Sequence, residues 1–399
     1  MTIPAPILAL RDRADELRDR LIAWAQINSG SRNMAGLERM RAALRTAFAQ
    51  FPGVQFEEVL LEGTPARALR VRCRPTAAKQ VMLSGHYDTV FGAEHPFQSC
   101  KLLDAQTLRG PGVADMKGGL LAMLAALEVF EQLPGAKSLG WEALLTPDEE
   151  IGSDASAPVI LATAKRHQLG LVFEPARSTG DLVQSRKGTG NFMLTVHGRA
   201  AHAGHVPNNG RNAIFALAEL LVALQRVPEE LPGVLVNVGS IEGGSPALNV
   251  VADLARAGLN LRITRAADEA LVQARLREVL APFNTREGLS VELTGRFDCP
   301  PKECGPAEEA VFAEWQRCGR DLGVTPFSWV HTGGGSDGNL LSAAGLPNLD
   351  GVGPVGDCMH SDREFCVLPT LVERTQIAAL FLNRWAAGEL PVLDRRLKS

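Results

Sequence analysis

The sequence predicts an α/β protein, in which a mixed sheet with helices on both faces is interrupted by a smaller ferredoxin-like domain. Short apolar runs alternate with segments of helical periodicity in the first part of the chain and again near its end, which is typical of a sheet covered by helices. Between these parts, the order β-α-β-β-α-β forms a self-contained pattern of about 110 residues. The chain has 399 residues, more than one typical core requires, so two domains are expected.

The domain boundaries follow from this change of pattern. The larger domain is predicted to comprise residues 1–186 and 299–399, and the inserted domain residues 187–298. One α/β domain split by an insertion is the simplest explanation, because the alternating pattern returns after Pro300-Pro301.

The individual elements are predicted from periodicity and from turn residues. Two helices are expected within residues 8–50, with a polar break at 28–31. The larger domain then has expected strands at about 54–60, 67–73, 81–85, 138–146, 171–173 and 347–352, and helices at about 118–132, 154–167, 306–322 and 369–387. The insertion has expected strands at about 190–197, 233–242, 253–264 and 289–297, and helices at about 211–226 and 267–282.

Composition excludes several classes of protein. The formal charge is −4 and no basic tract is present, so a nucleic-acid partner is not expected. No apolar run approaches the roughly 20 residues that span a bilayer, so a membrane partner is not expected either. The first 24 residues lack the pattern of a secretory leader, and the seven cysteines form no CxxC pair, so the chain is predicted to be reduced and cytoplasmic.

Polar residues follow the predicted strands or open a helix at several points of the larger domain. Because strand ends of an α/β sheet gather at one edge, these side chains are expected to lie close together. Imidazoles and carboxylates in one cluster suit zinc or another borderline divalent ion, and their number allows two ions that share a carboxylate. The candidates are His86, Asp88, Asp115, Glu149, Glu150, Glu174 and His360.

The adjacent pair Glu149-Glu150 suggests what such a site does. One carboxylate can bind a metal while its neighbour takes a proton from water, which is the division of labour in a metallohydrolase. A carboxylate pair alone is usually only a solvated surface, and a single strand-end histidine is usually structural. Here five candidates follow strand ends or open a helix in one frame, which favours the metal site.

The chain resembles a known family over nearly its whole length. The motifs that carry the resemblance are, in order, GHYDTV, GPGVADMKGG, TPDEEIGS, FEPA, GRAAHAG, GGGSDG and MHSD. They resemble those of the dinuclear-zinc aminoacylase and carboxypeptidase family, which includes bacterial glutamate carboxypeptidases, acetylornithine deacetylase and succinyl-diaminopimelate desuccinylase. The greatest similarity is to the glutamate carboxypeptidase branch.

The resemblance implies two zinc ions per chain, for which cobalt or manganese could substitute. It implies that His86 and Glu174 bind one ion and that Glu150 and His360 bind the other. Asp115 would bridge both ions. A glutamate at position 174 fits the carboxypeptidase and deacetylase branches better than the aminopeptidase-like ones.

The same resemblance assigns roles around the metals. Glu149 would be the general base and later the proton donor to the leaving amine, and Asp88 would orient His86. The family's bridging aspartate is commonly followed by a cis peptide, so Asp115-Met116 is expected to carry one.

The inserted domain is implied to be a dimerisation domain, or lid, that forms a homodimer. His202 would reach the partner subunit's active site and stabilise the oxyanion of the tetrahedral intermediate. Asn249 and Arg262 would contact the substrate's carboxylate and scissile carbonyl, since the planar fork of arginine suits a carboxylate. Arg296 is a candidate for the side chain of a glutamate substrate. His197 and His205 are interpreted as structural.

The glycine-rich motif GGGSDG contains Gly334, which is predicted to allow close approach of the backbone near the metals or the substrate carboxylate. A phosphate loop is the alternative. The motif lacks the Lys-Ser/Thr ending of such a loop and follows no clear strand, so this alternative is weak.

Two departures from the family pattern leave the substrate open. Ala201 stands where many relatives have serine. No residue matches the lysine that assists side-chain recognition in the glutamate carboxypeptidase branch, because Arg186 and Lys187 are out of register.

The predicted function is hydrolysis of an amide bond adjacent to a free carboxylate, with a peptide or N-acyl amino acid ending in glutamate as the favoured substrate. An N-acyl amino acid deacylase, similar to acetylornithine deacetylase, is the nearest alternative. A metal-binding dimeric scaffold without catalysis would be favoured if Glu149 or a ligand were missing, and none is missing.

Overall fold

A computed structural model describes residues 2–205 and 209–390 of the chain. The described residues form two compact units. The first lies within Met1–Ser185, Cys304–Thr332 and Ser336–Ser399, and the second within Arg186–Glu303 and Gly333–Gly335. The assignment of catalysis to one unit and dimerisation to the other stays a prediction.

The helices and strands of the described residues alternate along the chain, as an α/β fold requires. In chain order they are α1 (Ala5–Leu8), α2 (Ala14–Ala25), α3 (Met34–Phe48), β1 (Gln55–Leu60), β2 (Arg67–Cys73), β3 (Lys79–His86), β4 (Lys101–Leu102), β5 (Thr107–Arg109), α4 (Lys117–Phe130), β6 (Leu139–Thr146), α5 (Ala157–Ala164), β7 (Leu169–Val172), β8 (Leu182–Arg186), β9 (Gly188–His197), α6 (Ala213–Leu224), α7 (Val227–Glu230), β10 (Leu235–Gly243), β11 (Leu254–Ile263), α8 (Asp268–Asn284), β12 (Ser290–Cys299), α9 (Pro306–Asp321), β13 (Trp329–Thr332), α10 (Asp337–Ala343), β14 (Asn348–Asp350), β15 (Gly356–Asp357), β16 (Phe365–Val367) and α11 (Leu368–Ala386). Short 3-10 helices lie at Ala9–Arg13, Pro134–Ser138 and Glu149–Ile151.

The main sheet of the first unit has eight strands in the order β1-β2-β6-β3-β7-β14-β8-β13. Strand β3 pairs in parallel with β6 and β7, and β7 pairs in parallel with β14, whereas β1-β2, β2-β6 and β14-β8 are antiparallel. The carboxyl ends of the four parallel strands therefore meet at one edge of the sheet. In a sheet of this kind, that edge is where a site is expected.

Both faces of this sheet are buried under helices. Val81, Leu83 and Leu145 point into the core formed with α4 and α11, whereas their neighbours Met82 and Leu144 point into the core formed with α5 and α10. Because successive strand residues face opposite sides, a strand covered on both faces is apolar throughout. The predicted fold class, a mixed sheet with helices on both faces, is confirmed.

The second unit has the predicted ferredoxin-like arrangement. Its sheet order is β10-β11-β9-β12 with every pair antiparallel, and α6 and α8 bury their apolar residues against it. Strand β10 is an edge strand, and Leu235, Val238 and Ile241 on it are exposed. The short helix α7 is an addition to the predicted elements.

The main errors of the sequence analysis concern short elements. Strand β13 ends at Thr332, directly before the glycine-rich motif, so the interpretation that this motif follows no strand is wrong. The sequence analysis also missed β8, helix α10 and the small sheet β15-β16-β5-β4. These strands have five residues or fewer and are partly exposed, so they leave no periodic apolar signal.

Two findings bear on the classes that composition excluded. All seven cysteines lie among the described residues and are free. Among the described helices, none combines the length and the apolar character that crossing a membrane requires.

Candidate metal centre

His86 is the last residue of β3, and its imidazole is buried at the carboxyl edge of the sheet. Its Nδ1 lies 3.2 Å from Asp88 Oδ1, so this nitrogen faces the protein. Its Nε2 lies 3.0 Å from Asp115 Oδ1, 3.4 Å from Glu174 Oε1 and 3.9 Å from Glu149 Oε2. The nitrogen that can bind a metal therefore points into a group of three carboxylates.

Asp115 lies between the two predicted histidine ligands. Its Oδ1 faces His86, and its Oδ2 lies 3.4 Å from His360 Nε2. His360 Nε2 in turn lies 3.0 Å from Glu150 Oε2. The two carboxylate oxygens of Asp115 thus face separate histidines, each with its own glutamate nearby. The Asp115-Met116 peptide is cis, as the resemblance implies.

The chemistry of this donor set fits divalent cations. Four carboxylates converge with only two imidazoles, and burial raises the pKa of Glu149 and that of Glu150, the latter to about 7. Hydrogen bonds to Asp115 and Glu150 raise the pKa of His360 to about 11. The raised pKa values of these three groups mean that the cluster favours the binding of protons or cations. Nitrogen and carboxylate donors together are the set that zinc and its borderline neighbours prefer.

Asp88 connects this cluster to the turn that carries the adjacent glutamates. Besides facing His86, its buried carboxylate accepts the backbone N–H groups of Glu149 and Glu150, each at 3.2 Å, and the hydroxyl of Ser31 at 2.7 Å. The contact with His86 is the orienting contact that the resemblance implies, and the role of Asp88 stays a prediction. The sequence analysis did not find Ser31, because a lone serine in a polar break carries no signal.

Glu364 is a second residue that sequence reasoning missed. Its buried carboxylate accepts three backbone N–H groups, from Gly112 at 3.1 Å, Ala114 at 2.9 Å and Asp115 at 3.1 Å. Burial raises its pKa to about 7. These bonds fix the loop that presents Asp115 to both histidines. Because every residue except proline has a backbone N–H donor, the residue types at 112, 114 and 115 carry no sign of these bonds, and the sequence could not reveal them.

Replacing Glu364 by alanine is therefore expected to weaken metal binding by about 10–100-fold, the usual effect of removing a residue that orients a ligand. Competition with a chromogenic chelator measures this affinity. Glu131→Ala is the matched control, because Glu131 is a partly buried carboxylate that pairs with Arg74 and Trp141 instead. Equal affinities for the two variants would contradict the assigned role.

In the second unit, the structure brings together two pairs of predicted residues. Ala203, next to His202, donates its N–H to the carbonyl of Asn249 at 2.9 Å. His202 is exposed and stacks on His205 with ring centroids 4.7 Å apart. The residues predicted to bind substrate, His202 and Asn249, are thus neighbours.

Arg262 lies beside the glycine-rich motif. Its Nη1 donates to the carbonyl of Gly333 at 2.6 Å, and its Nε donates to Asn260 Oδ1 at 3.0 Å. Gly334 accepts a hydrogen bond from Arg186 at 3.3 Å. Arg262 and Gly334 are therefore close together.

Arg296 differs from these residues. It lies on β12, its side chain is 77% exposed, and it pairs with Asp298 at 3.1 Å. Its proposed contact with a glutamate side chain stays a prediction.

Comparisons with known proteins show what the chain is similar to. Residues 82–384 match the sequence profile of the family described as peptidase family M20/M25/M40. Carboxypeptidase G2 from Pseudomonas sp. (strain RS-16) is 28% identical over 323 residues, which cover 78% of this chain and 75% of that protein. Succinyl-diaminopimelate desuccinylase from Rhodospirillum centenum is 30% identical over 328 residues, covering 77% of this chain and 82% of that protein.

Among solved structures, the fold is similar to that of the M20 family metallo-carboxypeptidase Sso-CP2 from Sulfolobus solfataricus. The TM-score is 0.72 at 17% identity, and the match covers 94% of this chain and 100% of that one. At this identity the likeness concerns the fold alone.

Proposed function

The chain belongs to peptidase family M20/M25/M40, and from this membership we propose that it is a metal-dependent hydrolase that cleaves an amide bond next to a free carboxylate. The favoured reaction releases C-terminal glutamate from peptides or N-acyl conjugates. The observation that carries the proposal is the position of Asp115 between two histidines, each with a glutamate beside it, while Glu149 lies at the edge of the same cluster.

The cluster divides into two sets of metal donors. His86 and Glu174 would hold one ion, Glu150 and His360 the other, and Asp115 both. Two zinc ions bound there would make water more acidic and polarise the scissile carbonyl. Cobalt or manganese has the same donor preferences and could replace zinc.

Glu149 manages the proton in this proposal. Its backbone N–H is fixed by Asp88, and its carboxylate lies 3.9 Å from His86 Nε2, at the edge of the metal cluster. Burial raises its pKa well above the usual range of a glutamate, which favours a carboxylate that takes up a proton and later returns it. Glu149 would accept the proton of the attacking water and deliver it to the leaving amine.

Arg262, Asn249 and Gly334 are proposed to bind the substrate's carboxylate and carbonyl. The described contacts of Arg262 use Nε and Nη1 and leave Nη2 for a substrate oxygen. Arginine suits this role because its fork binds both carboxylate oxygens. His202 is proposed to donate to the oxyanion in the partner's site, and Arg296 to contact the glutamate side chain.

The second candidate function is deacylation of an N-acyl amino acid by the same residues. It is favoured by the 30% identity to a protein named for desuccinylation. The two functions differ in what lies on the amino side of the scissile bond, so a substrate panel separates them.

The test is a panel of peptides that end in glutamate and of short N-acyl amino acids, with the α-amide of each as a matched control. Release of glutamate from peptides, lost in the α-amides, would support the favoured function. Turnover of the short acyl compounds alone would support the deacylase. Equal turnover of acids and α-amides would contradict both, because no carboxylate would then be recognised.

The homodimer is proposed to form through residues 187–298. Among the described strands, none pairs with the outer edge of β10, which carries exposed apolar side chains. On α6, Phe215 and Val222 are 71% and 61% exposed. An exposed edge strand beside an apolar patch is characteristic of a surface that pairs with another chain.

Ile241→Lys on β10 is expected to convert a dimer into a monomer without loss of metal, because a charge on the paired edge opposes strand addition. Sedimentation velocity at micromolar protein measures the change. Leu60→Lys, at an equally exposed position on β1, is the control and should stay dimeric. A wild-type protein that sediments as a monomer would refute the proposed dimer.

A further inference from the structure

Asp337 lies in the glycine-rich motif, and the proposed function gives it no role. It is the first residue of α10, its side chain is 2% exposed, and it belongs to the first unit. Removing a carboxylate from water is energetically unfavourable, so a buried carboxylate needs hydrogen-bonding partners that replace the lost water. Its partners identify what it does.

Both carboxylate oxygens of Asp337 accept a hydroxyl hydrogen bond. Oδ2 accepts from Thr146 Oγ1 at 3.1 Å, and Oδ1 accepts from Ser153 Oγ at 2.7 Å. Thr146 is the last residue of β6, and Ser153 ends the turn that follows it. The segment between these two anchors carries Glu149 and Glu150. One side chain therefore holds both ends of the segment that contains the proposed base and a proposed ligand.

The turn needs this support because of its backbone. Gly152 has φ of 104° and Ser153 has φ of 56°, so two successive residues are left-handed. Glycine adopts the left-handed conformation freely. A residue with a side chain rarely does, and such a residue stays left-handed only when its surroundings fix it. Ser153 is fixed through its hydroxyl by Asp337 and through its N–H by the carbonyl of Asp148 at 2.8 Å.

Asp337 is itself rigidly placed. Ser336 caps α10 by accepting the N–H of Gly338 at 3.0 Å, and it donates its hydroxyl to Asp350 at the end of β14 at 2.8 Å. Asp337 therefore connects the turn after β6 to the end of another strand of the same sheet. If the turn moved relative to the sheet, the hydrogen bonds of Asp337 with Thr146 and Ser153 or that of Ser336 with Asp350 would have to break.

We propose that Asp337 is a positioning residue that holds Glu149 and Glu150 in place through Thr146 and Ser153. The proposal rests on the proposed function for what these glutamates do, and on the hydrogen bonds alone for how they are held. Loss of Asp337 displaces Glu149, which lowers kcat, and displaces Glu150, which weakens metal binding. KM changes little, because the proposed contacts with substrate lie on other residues.

The experiment compares Asp337→Ala with Asp337→Asn, Ser153→Ala and Thr146→Val. Asparagine can accept from one hydroxyl and donate to the other, so it is the conservative variant. Glu142→Gln is the control, because Glu142 is a buried carboxylate on the same strand that pairs with Arg70 and Arg166 away from the turn. All variants are assayed well below their melting temperatures.

Asp337→Ala is expected to lower kcat about 100-fold, with KM within about threefold, as a displacement near 1 Å does. Ser153→Ala is expected to lower kcat about tenfold, and the double variant should be no slower than Asp337→Ala, because the side chain of Ser153 acts through its contact with Asp337, which Asp337→Ala already removes. Asp337→Asn should recover most of the lost rate, whereas Glu142→Gln should change the melting temperature alone.

Hydrogen–deuterium exchange gives a readout that needs neither metal nor substrate. In metal-free protein, the peptide covering residues 147–153 should exchange faster in Asp337→Ala than in wild type, and at the wild-type rate in Asp337→Asn and Glu142→Gln. This measurement tests the positioning role even if the wild type hydrolyses no substrate, which would refute the proposed function only.

Unchanged exchange in that peptide, or a full kcat in Asp337→Ala, would overturn the proposal. Should Asp337→Ala fail to fold, Ser153→Ala decides. Wild-type exchange and wild-type kcat in Ser153→Ala would overturn the proposal equally.

Discussion

Glu149→Ala is expected to lower kcat by about 10²–10⁴-fold, the usual contribution of a general base, while both metal ions stay bound. The physical reason is the division of the cluster: Asp115 faces both histidines, and each histidine has another glutamate at 3.0 to 3.4 Å, so Glu149 at 3.9 Å is the carboxylate that the ions need least. Removing it should leave the ligands in place and remove the proton acceptor.

The measurement is steady-state kinetics on the best substrate of the panel, together with metal content per chain. Asp154→Ala is the control, because Asp154 is an exposed carboxylate that comes directly after the turn; its kcat should match the wild type. A Glu149→Ala protein that has lost a metal ion would instead make Glu149 a ligand. One that keeps full activity would refute its role as the base.

The candidate metal centre could be predicted from the sequence to the extent that its residues follow buried, apolar strands. His86 directly ends β3, and Glu149 and Glu174 come shortly after β6 and β7, three parallel strands whose apolar runs are visible in the sequence. Their meeting at one edge follows from the fold class alone. His360 was also a candidate from the sequence, but it follows only the two-residue strand β15, which leaves no apolar run to place it.

Glu364 and Asp337 could not be predicted in the same way. Glu364 binds three backbone N–H groups, and Asp337 binds two hydroxyls from elements far away in the sequence. Neither set of hydrogen bonds requires a particular spacing in the sequence, because any loop that brings a carboxylate close to the donor groups can form the same bonds. Both residues stood within or next to motifs that the sequence analysis quoted, but only the three-dimensional contacts distinguish them from solvated carboxylates.

In the second unit, the strand order was easier to predict from the sequence than the roles of individual residues. Its strand order was predictable, because the ferredoxin-like pattern allows few ways to close an antiparallel sheet. The roles proposed for its arginines cannot be ranked from the sequence, since Arg262 and Arg296 are both strand arginines with the same local sequence character. Only the structure separates them: Arg262 donates to the backbone of Gly333, whereas Arg296 is exposed and paired with Asp298.

Removal of the metal is expected to abolish hydrolysis and to lower the melting temperature. Four carboxylates converge on two imidazoles, and without cations the cluster must take up protons or bear mutual repulsion. Ions that bind the folded chain stabilise it by about 4 kcal/mol when the free metal is 1,000 times the dissociation constant. That energy is lost on chelation.

Calorimetry and activity before and after dialysis against a chelator measure both effects, and addition of zinc should restore them. Asp115→Ala provides the internal comparison. Because Asp115 faces both histidines, this variant should start inactive, start at the lower melting temperature and respond to neither chelator nor zinc. A wild-type protein that keeps its activity and melting temperature after the metal has been removed would refute the metal centre, because the same four carboxylates would then be stable without any cation.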